Sequence, residues 1–152
     1  MPRSLRSAIR YATPNTHELS KMSKRSPELS RPYYISAKSL IEGDLERYLQ
    51  KSEKVLAEIP IIFVKMGPKG VLVVNREGSS IEAVHVKPER PLTQVVSVTG
   101  AGDTLTGSLI AGLAKHRHLT TSDLVRLVRL AMKNAEKTLM SPKAVAENLN
   151  VI

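Results

Sequence analysis

The residues of this chain best suited to chemistry are Thr99-Gly100-Ala101-Gly102-Asp103-Thr104, placed where a β-branched run, Val95-Val96-Ser97-Val98, gives way to a helix-like pattern starting at Leu105. Glycines on either side of Ala101 let the backbone turn sharply and bring several N–H groups toward one point. The helix that follows adds the positive end of its dipole. Such a turn suits phosphate. A carboxylate there repels phosphate unless it has separate work, and taking a proton from an incoming hydroxyl is such work for Asp103. The same residues would equally serve as a plain strand-to-helix connection in which Asp103 or Thr104 caps the helix.

The elements that must position this turn follow an α/β order. A short helix over residues 1–12 is expected to lead into extended Tyr11-Ala12-Thr13, with Pro14 biasing Thr13 away from helix. Asn15 or Thr16 can then cap a helical turn carrying His17, Glu18, Leu19 and Met22. Residues 23–36 read as an exposed basic loop. Between Ser36 and Ala57, the residues Leu40, Ile41, Leu45, Tyr48, Leu49 and Val55 recur at helical spacing, with Gly43 as a weak point.

Ile61-Ile62-Phe63-Val64 is apolar on both faces, as in a buried parallel sheet, and is followed by Gly67-Pro68-Lys69-Gly70 and a second strand, Val71-Leu72-Val73-Val74. Asn75-Arg76-Glu77-Gly78 carries turn residues, and Ile81 to Val86 alternates like a strand with one wet face. After Thr120-Thr121-Ser122-Asp123, the residues Leu124, Leu127, Val128, Ala131, Ala135 and Leu139 form one helical stripe. Arg126, Arg129, Lys133 and Lys137 lie largely off it and read as a solvated face.

At 152 residues, with 41% hydrophobic and 24% charged content, the chain suits one domain with one core. No run approaches the roughly 18 apolar residues that span a bilayer. The N-terminal Met1-Pro2-Arg3-Ser4-Leu5-Arg6 lacks the apolar core of a secretory signal, although its Arg and Ser without acids resemble a mitochondrial transit peptide. With no cysteine there is neither a disulfide framework nor a thiolate metal site, and a cytoplasmic protein is expected. The formal charge of +9, from 23 basic and 14 acidic residues, fits a polyanionic nucleotide ligand. It also fits nucleic acid, but aromatic residues make up 3% of the chain and offer no stacking platform. His116 and His118 have no third ligand nearby in sequence and read as exposed loop residues.

Three small groups of residues together resemble the PfkB-type carbohydrate kinases, the ribokinase-like phosphotransferases. Thr99-Gly100-Ala101-Gly102-Asp103 is similar to that family's Gly-Ala-Gly-Asp signature. By that resemblance, the amides of Gly100, Ala101 and Gly102 form an anion hole and Asp103 is the catalytic base. Pro14-Asn15-Thr16-His17-Glu18-Leu19 resembles the Asn-x-x-Glu element that organises magnesium and the nucleotide phosphates. Val64-Lys65-Met66-Gly67-Pro68-Lys69-Gly70-Val71 resembles the strand and glycine loop that lie along ATP. The resemblance covers the whole chain, as the C-terminal half of the family's fold. It implies a Rossmann-like three-layer α/β/α architecture, ribokinase-like and incomplete, in a single partial kinase domain over residues 1–152. The wording of Thr13 to Leu19, of Val98-Thr99-Gly100 and of Thr138 to Val145 is most similar to pseudouridine kinases.

The ligands implied are ATP and Mg²⁺, with a monovalent cation as a further one, and a sugar or nucleoside hydroxyl as acceptor. Glu18 suits Mg²⁺, a hard cation that keeps much of its water and can be held by one carboxylate. Asn15 can donate to a phosphate oxygen, Gly67 and Gly70 permit close approach of backbone to nucleotide, and Lys65 and Lys69 add positive charge. Asn134, with Lys133, falls in the helix that by resemblance lies near the adenine; the alternative is a helix surface. Taken alone, Asn15 and Glu18 also read as a helix cap and a surface acid, and Gly67 to Gly70 as a hairpin turn. Ser97 stands where the family usually carries an Asp, at the corner of acceptor or monovalent-cation binding. No residues resemble the family's N-terminal half, with its lid and acceptor contacts. The expected partners are therefore ATP and a small acceptor, with a homo-oligomer or a separate N-terminal half completing the fold. The alternatives are a non-catalytic nucleotide- or partner-binding fragment and a basic nucleic-acid-binding module.

Overall fold

Strand and helix signals alternate along the chain, and the computed structural model follows them. It describes residues 8–26, 43–89, 91, 94–116 and 118–151, and residues 34–37 by their backbone. Among these are five strands and four α-helices: β1 (Tyr11–Ala12), α1 (Thr16–Arg25), β2 (Tyr34–Ala37), α2 (Asp44–Leu56), β3 (Ile61–Lys65), β4 (Val71–Glu77), β5 (Ser80–Val86), α3 (Ala101–Leu113) and α4 (Thr121–Leu139). A short 3-10 turn, Gly67–Lys69, follows β3. The chain packs as two compact units, Met1–His85 and Val86–Ile152. None of these helices is long and apolar enough to cross a membrane.

In the first unit the sheet order is β1-β3-β4-β5-β2. β3 pairs parallel to β1, with Tyr11 opposite Ile61, and antiparallel to β4, with Phe63 opposite Val73. β2 pairs parallel to β5. The alternation of strand side chains puts Ile62, Val64, Leu72, Val74, Ile81 and Ala83 in one core cluster with Leu19 of α1 and Leu49, Val55 and Leu56 of α2. Ile61, Phe63, Val71 and Val73 alternate with these and are also buried. The sheet is thus apolar on both faces, as its sequence implies, but mixed rather than parallel. The reason is the Gly78-Ser79 turn, which sends the chain straight back from β4 into β5.

The second unit is built on α3 and α4, which pack against each other. The contacts Thr104 to Thr138 and Ser108 to Asn134 fix them as antiparallel. Leu105, Leu109 and Leu113 of α3 and Leu124, Leu127, Val128, Ala131 and Ala135 of α4 are buried.

Several sequence expectations change. Val95-Val96-Ser97-Val98 is no strand; its valines are exposed, and the amides of Val96 and Ser97 go to the Leu139 carbonyl instead of a ladder. Residues 23–25 finish α1, with Ser23 facing inward, and residues 34–36 belong to β2. The rest of that expected loop, residues 27–33, lies outside the described residues, as do residues 1–7 of the expected first helix and Leu40 and Ile41. α2 starts after Gly43, whose φ of +61° breaks the longer helical pattern. Asn75, Arg76 and Glu77 continue β4, and the reversal waits for Gly78 at φ +59°. Lys137 is half-buried on the expected polar face and is engaged there: its ammonium donates to the Asn148 carbonyl and Asn150 Oδ1.

Candidate functional site

Asn15 and Glu18 owe their placement to the end of β3. The Lys65 amide donates to the Pro14 carbonyl at 2.8 Å, and a parallel bridge joins Asn15 to Lys65. Asn15 is thereby held extended as the N-cap of α1, where its Oδ1 accepts from the amides of His17 and Glu18 at 3.0 and 2.9 Å. Glu18 Oε2 accepts the Asn15 amide at 2.7 Å, completing a capping box. The cap reading of Asn15 is therefore correct, and Glu18, read alone as a surface acid, also closes the cap. It leaves Glu18 exposed, with its Oε1 making no hydrogen bond among the described residues. A shallow groove lined by Ala12, Thr13, Pro14, Glu18, Lys21 and Met22 runs beside it.

On the same end of β3 the chain passes through Met66 into the glycine turn. Gly67 at φ +57° and Gly70 at φ +91° adopt backbone that other residues reach only with strain. The turn closes through Gly70 N–H to the Gly67 carbonyl and Met66 N–H to the Gly70 carbonyl, at 3.0 and 2.9 Å. The first unit thus brings Asn15, Glu18, Lys65, Gly67, Lys69 and Gly70 together beyond the carboxyl ends of parallel β1 and β3. Ligands of open α/β sheets collect at such ends.

Lys69 is not a free cation. Its ammonium lies 3.0 Å from Asp44 Oδ2, and its carbonyl accepts from His85 Nε2 at 2.7 Å. The hydrogen bond from Lys69, then its charge and that of Arg47, holds the Asp44 carboxyl below the ordinary range. Sequence reasoning missed Asp44 and His85, since neither stands near the glycines in sequence.

In the second unit, Gly100 is the N-cap of α3 at φ +80°, and the first intrahelical bond runs from Thr104 N–H to the Gly100 carbonyl at 2.8 Å. The amides of Ala101, Gly102 and Asp103 precede that bond and so have no helical acceptor. Among the described residues no side chain caps this helix. The contrast with α1 and α4 is informative, because both close their first turn with a capping box. Asp103 occupies the third helical position, as do Glu18 and Asp123, yet Gly100 has no side chain to reciprocate and its left-handed backbone replaces the extended caps of Asn15 and Thr120. The three aspartates of the chain all fall in first turns. Asp44 and Asp123 are engaged, whereas the exposed Asp103 carboxylate has no hydrogen-bond or ion-pair partner among the described residues. An uncapped, glycine-turned helix start beside a free carboxylate can hold an anion and accept a proton.

Asn134 lies elsewhere in this unit and is neither a helix-surface residue nor open to a base. It is buried, its Nδ2 donates to Ser108 Oγ and to the Asn150 carbonyl, and its Oδ1 accepts the Asn150 amide at 2.6 Å. Its polar atoms grip the C-terminal segment. Ser97 Oγ accepts the Thr99 amide at 3.2 Å. His116 and His118 are exposed, as expected.

Among the described residues no cluster of three or more His, Cys, Asp and Glu side chains could hold a metal ion. Glu18 therefore fits Mg²⁺ only as one hard oxygen ligand beside water and phosphate oxygens, which is how that ion is ordinarily bound.

The sequence profile described as pfkB family carbohydrate kinase matches residues 1–148. Among solved structures, the chain is similar to ribokinase from Thermotoga maritima, at 21% identity and a TM-score of 0.63, over 95% of this chain and 40% of that one. Ribokinase from Arabidopsis thaliana, solved with ribose and ATP, aligns at 22% identity and a TM-score of 0.63, over 94% and 38% of the two chains. Fructokinase from Vibrio cholerae, solved with fructose, ADP and calcium ion, aligns at 19% identity and 0.63, over 93% and 38%. The chain thus spans about two fifths of the length of these structures. No curated protein matches it. The fold is the α/β fold of ribokinase, in part.

Proposed function

Because the chain belongs to the pfkB family of carbohydrate kinases, we propose that it carries the nucleotide-binding half of an ATP-dependent phosphotransferase whose acceptor is a sugar or nucleoside hydroxyl. The carrying observation is the start of α3: amides without helical acceptors, and, among the described residues, no side-chain cap and a free carboxylate of Asp103 at its third position. The amides of Ala101, Gly102 and Asp103 hold the transferred phosphate. Asp103 takes the acceptor's hydroxyl proton as its oxygen bonds to the γ-phosphorus and the bond from that phosphorus to the bridging oxygen of ADP breaks. Mg²⁺, when bound, neutralises charge on the nucleotide phosphates, and Glu18 is its carboxylate ligand. Asn15 donates its side-chain Nδ2 to a phosphate oxygen, and Gly67 and Gly70 let the backbone approach the nucleotide, with Lys65 adding charge while the charge of Lys69 is offset by Asp44. Asn134 acts by holding the C-terminal segment and not by contact with adenine. The wording shared with pseudouridine kinases makes pseudouridine the first acceptor to try.

The test is ADP formation by the purified chain with ATP, Mg²⁺ and a panel of pseudouridine, ribose and other nucleosides. Asp103→Asn is expected to remove about two to four orders of magnitude of rate, the usual weight of a positioned base, while sparing ATP affinity. Retention of most activity in that variant overturns the assignment.

The chain's coverage of about two fifths of its structural relatives supports a second reading. It is a nucleotide- or partner-binding fragment without turnover. ATP binding with no acceptor-dependent ADP from the isolated chain is the result that favours it.

A further inference from the structure

The end of α4 gathers the anion-binding turn from three directions, and none of these contacts belongs to the turn's own sequence. Thr138, fully buried, places its Oγ1 3.0 Å from Thr104 Oγ1, one residue past Asp103. The same Oγ1 accepts the Ala146 amide at 3.2 Å. The next residue, Leu139, accepts the amides of Val96 and Ser97, which enter the turn, at 2.8 and 3.2 Å. Beyond it the chain folds back so that the Ala144 carbonyl stands against Gly100. The segment then runs on to Asn150, gripped by Asn134 and Lys137.

Resting on the phosphate role given to that turn, we propose that Thr138 is a positioning residue for it. Its hydroxyl ties the α3 start to the C-terminal segment, residues 141–150, so that the segment acts as a strap setting the backbone at Gly100. The chemistry requires a hydroxyl there. One oxygen must accept the buried Ala146 N–H and share a second hydrogen bond with Thr104, which a methyl group cannot do, and a buried amide left unpaired is costly. Helix starts without a side-chain cap fray readily, and α3 has none among the described residues. An external brace is therefore what keeps its free amides convergent before an anion arrives.

The experiment is amide hydrogen exchange, by NMR on the full chain without ligand, at Thr104, Ala146 and Asn150, with Val128 as the control. Thr138→Val is expected to speed exchange at Thr104 and Ala146 about tenfold or more, the size expected of a local opening that loses one hydrogen bond. Val128 stays as in the wild type, and Thr138→Ser restores protection. The affinity for ATP falls in the same order across the three proteins. Wild-type exchange at Thr104 in Thr138→Val overturns the proposal, as does a Thr138→Ser variant as disturbed as Thr138→Val. Should Thr138→Val fail to fold, Lys137→Met loosens the strap from its exposed end. Faster exchange at Asn150 is then expected to carry Thr104 with it, and an unmoved Thr104 overturns the inference. A chain that binds no ATP overturns the phosphate reading, while Thr104 exchange still decides the brace.

Discussion

The carbonyl oxygen of Ala144 lies 1.7 Å from the point a Cβ on Gly100 would occupy. The two residues are far apart in sequence, and their approach gives Gly100 two reasons to be glycine: its φ of +80° and the absence of room for any side chain. Gly100→Ala is therefore expected to cost about 1–2 kcal/mol from backbone conformation alone, with the collision against backbone added to it. Gly107 of the same helix has a negative φ and open space around it. There the same change is expected to stabilise by about 0.5–1 kcal/mol. Urea unfolding of the two variants checks the pair, and a Gly100→Ala chain as stable as the wild type refutes the close approach.

Asp103 and Asp123 share a helical position but not a role. Asp123 receives the Thr120 hydroxyl and amide at 2.7 and 3.1 Å, whereas Asp103 is free among the described residues. Thermal melts are expected to show Asp103→Asn unchanged and Asp123→Ala lowered, while turnover is lost in the first and kept in the second. A lowered melting point for Asp103→Asn would mean that its carboxylate caps the helix after all.

At α1 the cap and the proposed ligand roles share residues, and conservative changes separate them. Asn15→Ala is expected to cost about 1 kcal/mol of stability, and Asn15→Ser only a few tenths, because serine also caps. If Asn15 Nδ2 donates to phosphate, both variants weaken ATP binding. Glu18→Gln keeps the return bond to the Asn15 amide and loses the hard anionic ligand. It is expected to raise the Mg²⁺ concentration needed for half-maximal rate by about tenfold, the weight of a contact near 1.4 kcal/mol. Calorimetric ATP titrations and an Mg²⁺ series check both.

Two solvent-accessible carboxyls bear on acid stability in the same direction. Asp123 is lowered first by the Thr120 hydroxyl bond, and Asp44 first by the bond from Lys69. A depressed carboxylate stabilises the fold above its unfolded value, and that contribution is lost as pH falls through its folded value. Stability is expected to decline below about pH 4, and Asp123→Asn flattens the decline. Glu53, raised by burial, works in the opposite sense. Its charge disfavours folding at neutral pH, so Glu53→Gln is expected to raise the neutral melting temperature. Melts between pH 3 and 7 provide the check.

The sequence by itself determined what depends on neighbours along the chain. Gly100 marked a turn that other residues reach with strain, Asn15 marked a helix cap, and the continuous apolar runs Ile61 to Val64 and Val71 to Val74 specified strands buried on both faces. These are matters of torsion angle and period, which a few adjacent residues settle. Partners far along the chain belonged to the tertiary structure. It left Val95, Val96 and Val98 out of any strand despite their β-branched side chains, because the amides there meet the Leu139 carbonyl before they meet a ladder. It buried Asn134, which helical spacing alone could not distinguish from a surface residue, and it bound Lys69 to Asp44. It also set the Ala144 carbonyl against Gly100. Side-chain type and spacing define which groups can bond, but which of them do is decided by close packing between segments that sequence order does not bring together.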